Sequence, residues 1–184
     1  ASRLQGTSLL IRELARCACR PEVLLSASAI GFYGDCADRL VGEDDRSGSA
    51  FISEVCARWE AAAGSARDLG IRTVCLRLGV VLTPRGGALA RLLAPSALGF
   101  SSRFGNGRQY ISWIGLHDAI GAMLHALVSK SLQGPVNIVA PEPVTNRELL
   151  ATLARVLHRP LLPPVPAGLV RLLFGRMGQE VLLD

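Results

Sequence analysis

An α/β fold built on a parallel sheet is what the sequence predicts, and three observations carry the prediction. Helical and extended patterns alternate in the first half of the chain, the order expected of strands joined by right-handed helical crossovers. The stretch Val23-Leu24-Leu25-Ser26-Ala27-Ser28-Ala29-Ile30 is an unbroken run of small and apolar residues, as suits a parallel strand covered on both faces. Turn residues close each segment, with Gly31, Gly34 and Asp35 after that strand and Gly70 after the next helix.

Taken in order, Ser2-Arg3-Leu4-Gln5 has capping-box spacing and predicts a helix to about Cys17, which Pro21 ends. From Ser49 to Leu69 apolar residues recur at three-four spacing (Ile52, Val55, Cys56, Trp59, Ala62, Ala63, Ala66), a second helix with one stripe toward a core. Thr73 to Leu78 alternates Val74, Leu76 and Leu78 with Thr73, Cys75 and Arg77 and reads as a strand. Glycines and prolines cluster from Pro84 to Gly107. A helix is expected from Asp118, in the N-cap position, to Val128, with Ile120, Met123, Leu124 and Leu127 as its apolar stripe and His125 opposite. Val136 to Val139 reads as a short strand. Thr145-Asn146-Arg147-Glu148 is a second capping box, opening a helix to about Leu157, at whose end His158 favours the helix dipole. Four prolines between Pro160 and Pro166 then form a stiff connection to an apolar helix from Leu169 to Phe174.

Bulk properties narrow the classes. A chain of 184 residues that is 49% apolar can bury roughly two thirds of its unfolded surface, so a packed core is expected. Mean hydropathy is high at +0.34, yet Arg, Glu, Asp or Pro interrupts every apolar run short of the ~18 residues a membrane span needs. No charged cap followed by an apolar signal segment occurs, and a cytoplasmic location is expected. The five cysteines, Cys17, Cys19, Cys36, Cys56 and Cys75, contain no C-x-x-C pair and lie far from the three histidines, so they read as small buried residues rather than as disulfides or metal ligands. The net charge of +5 comes from scattered arginines, Lys130 being the only lysine, and only 5% of residues are aromatic, which argues against a nucleic-acid partner.

The motifs are more specific. Ser26-Ala27-Ser28-Ala29-Ile30-Gly31-Phe32-Tyr33-Gly34-Asp35 is followed in order by Cys56-Ala57-Arg58-Trp59-Glu60-Ala61-Ala62, Leu76-Arg77-Leu78-Gly79-Val80-Val81-Leu82 and Gly86-Gly87. Gly105-Asn106-Gly107-Arg108-Gln109-Tyr110 with Trp113-Ile114 comes next, then Gly134-Pro135-Val136-Asn137, Ala140-Pro141 and Val144-Thr145-Asn146. This series resembles the atypical extended short-chain dehydrogenase/reductases, the NAD(P)-dependent epimerase-family oxidoreductases that end in a small domain of unknown function. The resemblance implies a partial Rossmann-like parallel sheet with a small α-rich C-terminal substrate part. It divides the chain into the C-terminal half of the nucleotide domain (1–83), a substrate-side region (84–158) and the start of the small family domain (159–184). It also implies that the family's first strand and glycine-rich turn precede this chain, which would leave Val23 to Ile30 as an apolar sheet edge prone to self-association.

By the same resemblance, Arg3 matches the arginine of an S-R motif that contacts NADP, and Arg77, Gly79 and Val81 fall on the nicotinamide side of the cofactor. Arg108, Gln109 and Trp113 would line the cleft for a small-molecule substrate. The family's W-I-H-I-D-D appears here as Trp113-Ile114-Gly115-Leu116-His117-Asp118, which departs from the pattern at Gly115.

The residues themselves constrain the chemistry. Short-chain reductases use a tyrosine whose pKa is lowered by a lysine four residues on. Four residues beyond Tyr33 and Tyr110 stand Ala37 and Ile114, and the usual dyad positions counted back from Trp59-Glu60 hold Ile52 and Cys56, so that dyad does not exist here. Ser28, at the C-terminal end of a strand where α/β sheets place ligands, and Tyr33 just beyond it are the catalytic candidates. Glu60 reads as a solvated helix residue. No G-x-G-x-x-G segment offers a pyrophosphate cradle, and no G-x-S-x-G elbow supports a hydrolase. Two functions remain: an NADP-linked oxidoreductase or epimerase-like protein, and a non-catalytic nucleotide-binding module on the same fold.

Overall fold

Helix α1 (Ser2–Arg16) and strand β1 (Val23–Ala29) open the computed structural model, which describes residues 2–97, 101–104 and 107–165. Helix α2 (Phe51–Gly64) continues as a 3-10 turn over Ser65–Leu69, and Gly70, at φ +77°, closes it in the left-handed conformation that glycine adopts without strain. Strand β2 is Arg72–Leu78. The described residues fall in two compact units, one within Ala1–Gly79 and His117–Val139 and the other within Val80–Leu116 and Ala140–Asp184. Each draws on two separate stretches of chain.

In the first unit β2 is the middle strand of a three-stranded parallel sheet, between β1 and β7 (Gly134–Ile138). The register runs from Val23 beside Arg72 to Ala29 beside Leu78, and from Val74 beside Gly134 to Leu78 beside Ile138. Thr73 through Arg77 are all buried. The alternation in that strand therefore does not mark one wet face; a central parallel strand is covered on both sides, and its polar members must find partners inside. Ile11 of α1 packs with Ala66 and Ile71, and Leu14, Leu24 and Leu69 lie against them. Burying residues such as Ile71 and Val74 stabilises the unit by about 1.5–3 kcal/mol each.

Helix α4 (Leu116–Val128) corrects two expectations. It begins before Asp118, which lies in its first turn rather than at its N-cap. Its buried residues are Ala119 and Ala126, whereas Ile120, Leu124 (58% exposed), Leu127 and Val128 face outward, so the small residues and not the leucines meet the protein. Arg72, at the start of β2, holds the end of this helix: its guanidinium donates to the carbonyls of Ala126 and Leu127 and, beyond the helix, of Leu132 at 2.7–2.9 Å.

The second unit holds β3 (Val80–Leu82) parallel to β6 (Trp113–Gly115), β4 (Ser101–Phe104) parallel to β9 (Leu161–Val165), and β5 (Tyr110–Ile111) antiparallel to β8 (Val144–Thr145), with helices α3 (Gly87–Ala97) and α5 (Asn146–Val156). The expected capping box is present: Thr145 Oγ1 accepts from the Glu148 N–H at 3.2 Å, and the Glu148 carboxylate accepts from the Thr145 N–H at 2.8 Å. Ser2, by contrast, is already helical rather than capping α1. The region from Pro84 is not irregular throughout, because its alanines and leucines form α3. The proline-rich connection after Pro160 runs extended as β9, and the expected helix from Leu169 to Phe174 lies outside the described residues. Cys56 and Cys75 are buried as expected, but Cys17 and Cys19 are exposed, since both lie beyond the end of α1.

Candidate functional site

Arg77 is the centre of a polar cluster in the first unit. A charged residue buried near the C-terminal end of a strand needs a carboxylate, and α2 supplies it. Arg77 Nε donates to Glu60 Oε1 at 3.0 Å and Nη2 to Oε2 at 2.9 Å, a two-pronged pair in which the Arg77 side chain is 3% and the Glu60 side chain 12% exposed. Nη1 donates to the Tyr33 phenol oxygen at 2.8 Å and to the Glu43 carbonyl at 3.2 Å. The guanidinium also stacks over Phe32, 3.5 Å from its ring centroid. Burial works against the Arg77 charge, but the hydrogen bonds to Glu60 and Tyr33 and the Glu60 charge outweigh it and hold the guanidinium above its ordinary pKa.

Ser28 ends near this pair because β1 and β2 run in register, Ser28 beside Arg77. Its hydroxyl donates to Glu60 Oε1 at 2.6 Å, a short charge-assisted bond, and Ser28 is 4% exposed. Tyr33, reached through the 3-10 turn Ile30–Phe32, is equally buried and donates to Asn137 Oδ1 at 2.7 Å. Asn137 comes from β7, and its N–H donates to Glu43 Oε1 at 2.8 Å. Arg77 of β2 thus ties α2 to the turn at Tyr33 and the loop at Glu43, with Ser28 of β1 joined through Glu60 and Asn137 of β7 through Tyr33. All of this lies toward the C-terminal ends of the parallel strands, where open α/β sheets place ligands.

The loop after Tyr33 forms an open cavity of about 980 Å³ bounded by Tyr33, Gly34, Asp35, Arg39, Arg46 and Ala50. Gly48 is required there: its N–H donates to the Phe32 carbonyl at 2.9 Å, and a Cβ would come within 2.4 Å of the Tyr33 carbonyl oxygen. Cys56 faces the same cluster from α2. Burial, helped by the nearby Glu60 charge, pushes its thiol up by more than hydrogen bonding with the Ala29 backbone and the other neighbours lowers it, so it stays a neutral thiol near pH 7.

Of the residues singled out from the sequence, Ser28, Tyr33 and Arg77 meet in this one cluster. Gly79 follows β2, and its N–H donates to the Ile138 carbonyl at 3.1 Å. Arg3 lies on α1 with its guanidinium 4.8 Å from the Trp59 ring centroid, while the Trp59 indole donates to Thr7 Oγ1 at 2.9 Å. The remaining residues belong to the second unit. Val81 pairs with Ile114 between β3 and β6. The carbonyls of Gln109 and Gly107 accept from the N–H groups of Asn146 and Arg147, so the segment carrying Arg108 and Gln109 completes the N-terminus of α5. The Trp113 indole donates to the Glu142 carbonyl at 3.1 Å.

Glu60 is the correction. It is not solvated, because it lies one helical turn after Cys56 and therefore on the same buried face of α2. Glu43, Phe32 and Asn137 were missed altogether. The signal for Glu60 was present in the sequence: an arginine inside Val74-Cys75-Leu76-Arg77-Leu78 demands a buried acid, and Glu60 is the acid on the facing stripe.

No family model matches the sequence. Individual relatives do. An epimerase family protein of Mycobacterium bovis is 42% identical over 160 residues, covering 87% of this chain and 53% of that protein. The epimerase family protein SDR39U1 of Bos taurus is 35% identical over 186 residues, covering 100% of this chain and 63% of that protein. The chain belongs to the epimerase family. Among solved structures, human epimerase family protein SDR39U1 with NADPH superposes on this epimerase-family chain with a TM-score of 0.90 at 33% identity, over 98% of this chain and 62% of that one. The nucleoside-diphosphate sugar epimerase of Corynebacterium glutamicum gives a TM-score of 0.76 at 34% identity, over 100% and 42%. The fold is thus the Rossmann-like α/β fold of NAD(P)-dependent epimerases. The chain spans about half the length of the M. bovis relative and somewhat more of the bovine one.

Proposed function

We propose that this chain is part of an NADP-linked oxidoreductase or nucleotide-sugar-epimerase-like protein acting on a small-molecule substrate, with the Arg77 cluster framing the reacting end of its site. The observation that carries the reading is the meeting of Ser28, Tyr33, Glu60 and Arg77 toward the C-terminal ends of β1 and β2, in a chain similar to a protein crystallised with NADPH. Bound NADP would supply hydride transfer.

The residues present fit one part of that cofactor. Arg3 carries a planar, exposed cation steadied on Trp59 and suits a phosphate, and by the same resemblance Gly79, which follows β2, and Val81, in β3, are assigned to the nicotinamide. Among the described residues no glycine-rich strand-to-helix turn presents N–H groups to a pyrophosphate, so no cradle for that part of the cofactor occurs among them. Arg77, its donors engaged by Glu60, Tyr33 and Glu43, acts in this reading by holding Ser28 and Tyr33 in place. Arg108, Gln109 and Trp113 are assigned to the substrate side. Among the described residues no helix is long and apolar enough to cross a membrane, and the cysteine pattern favours a cytoplasmic setting.

A second reading is a nucleotide-binding module without turnover. It is favoured by the hydrogen bonding of both candidate hydroxyls, Ser28 to Glu60 and Tyr33 to Asn137, and by Ile52 and Cys56 at the dyad positions. Fluorescence titration with NADPH followed by turnover assays on carbonyl compounds and nucleotide sugars separates the two. Binding with turnover supports the first, binding without turnover the second, and absence of binding sinks both.

A further inference from the structure

We propose that Glu60 is a positioning residue that holds the Ser28 proton, so that Ser28 meets a ligand as a hydrogen-bond acceptor and takes a ligand hydroxyl or amide N–H rather than a carbonyl oxygen. The inference rests on the reading that Ser28 borders the ligand site. A serine hydroxyl has one proton and two lone pairs. That proton lies on Glu60 Oε1, 2.6 Å away, and Glu60 cannot return one, because both its oxygens are engaged by Arg77 in an ion pair. Tyr33 repeats the pattern: its proton goes to Asn137 Oδ1, and its oxygen accepts from Arg77 Nη1. Both hydroxyl protons are directed into the protein. Cys56 also lies against Ser28, but a neutral thiol is a weak acceptor and does not draw that proton from a carboxylate oxygen 2.6 Å away. A ligand carbonyl at Ser28 would meet lone pairs and no proton.

The experiment compares the wild-type chain with Ser28→Ala, Ser28→Thr and Glu60→Gln. In the free protein, proton NMR is expected to show a downfield, slowly exchanging hydroxyl proton correlated with the Ser28 β-carbon, absent in Ser28→Ala, kept in Ser28→Thr and lost or shifted upfield in Glu60→Gln. Its absence from the folded wild type, or its persistence unchanged in Glu60→Gln, overturns the proposal. If Glu60→Gln does not fold, the two Ser28 variants carry the assignment. The ligand-facing half is read in binding titrations with UDP-glucose and UDP-4-keto-6-deoxyglucose. The wild type is expected to favour the hydroxyl form about tenfold more than Ser28→Ala does, with Ser28→Thr restoring the preference. A wild type that favours the keto form relative to Ser28→Ala overturns it. Binding of neither sugar nucleotide nor NADPH overturns the ligand-facing half together with the function proposed above, while the NMR result alone decides whether Glu60 holds the proton.

Discussion

Arg77 and Glu60 are joined by two parallel hydrogen bonds of 3.0 and 2.9 Å in a setting nearly sealed from water. Removing one partner leaves a buried charge without its counterion, the costly half of the arrangement. Arg77→Met is expected to destabilise the protein by about 3–5 kcal/mol in urea denaturation. The double variant Arg77→Met, Glu60→Gln is expected to recover part of that loss, because no unpaired charge remains. Equal stability of the single and double variants would show that the ion pair is not what holds the cluster.

Cys75, buried in the middle of β2, makes stability depend on alkaline pH. Burial, then the Glu60 charge, pushes its thiol from the ordinary 9.0 to about 11. The folded state thus disfavours the thiolate. The contribution is intact below about pH 9 and is lost as pH rises toward 11, a fall of roughly 2–3 kcal/mol across that window. Denaturation midpoints measured between pH 8 and pH 11 are expected to decline, and Cys75→Val is expected to flatten the decline. An unchanged slope in that variant would assign it to other groups.

The sheet was legible because its strands are apolar runs bounded by glycines and Pro21, a signal set by local sequence. That Ser28 and Tyr33 would stand near one another at a strand end was legible from position and motif. What the sequence hid was pairing across distance. Tyr33 and Asn137 are 104 residues apart and nothing local to either announces the other, whereas Glu60, 17 residues from Arg77, is signalled only by the charge that its partner carries into a buried strand. The apolar stripe of α4 misled for the opposite reason: periodicity identified an apolar face, but the face that is buried carries the small residues Ala119 and Ala126.

Gly48 sets the path of the cavity loop. A Cβ there would stand 2.4 Å from the Tyr33 carbonyl oxygen and 3.0 Å from Ser53 Oγ, which itself donates to the Gly31 carbonyl. Backbone must move to admit it. Gly48→Ala is expected to cost about 2 kcal/mol and to shift the NMR resonances of Tyr33. A variant as stable as the wild type would mean the loop relaxes freely.

His158 ends α5 in a conformation unsuited to it. The N–H of Arg159 donates to the Ala154 carbonyl and that of His158 to the Arg155 carbonyl, the paired bonds of a helix terminus that places its central residue in the left-handed region, here at φ +53°. A side chain there costs about 1 kcal/mol that glycine avoids. Because His158 is exposed and contributes no packing to be lost, His158→Gly is expected to stabilise the protein by about that amount, read as a higher denaturation midpoint. A destabilised variant would show that the imidazole's interaction with the helix end outweighs the strain.

Among the described residues β1 hydrogen-bonds to β2 alone, so one edge of Val23–Ala29 presents backbone donors and acceptors to whatever approaches. Val23, Leu24 and Leu25 are only half-buried, and no lysine or proline blunts the strand. This chain is therefore expected to self-associate, seen as concentration-dependent elution in size-exclusion chromatography. Ala27→Lys, which adds a charge at an exposed position on that edge strand, is expected to shift the equilibrium toward monomer without lowering the unfolding midpoint. A wild-type chain that elutes as a monomer at all concentrations and unfolds cooperatively would show that the edge is covered by other means.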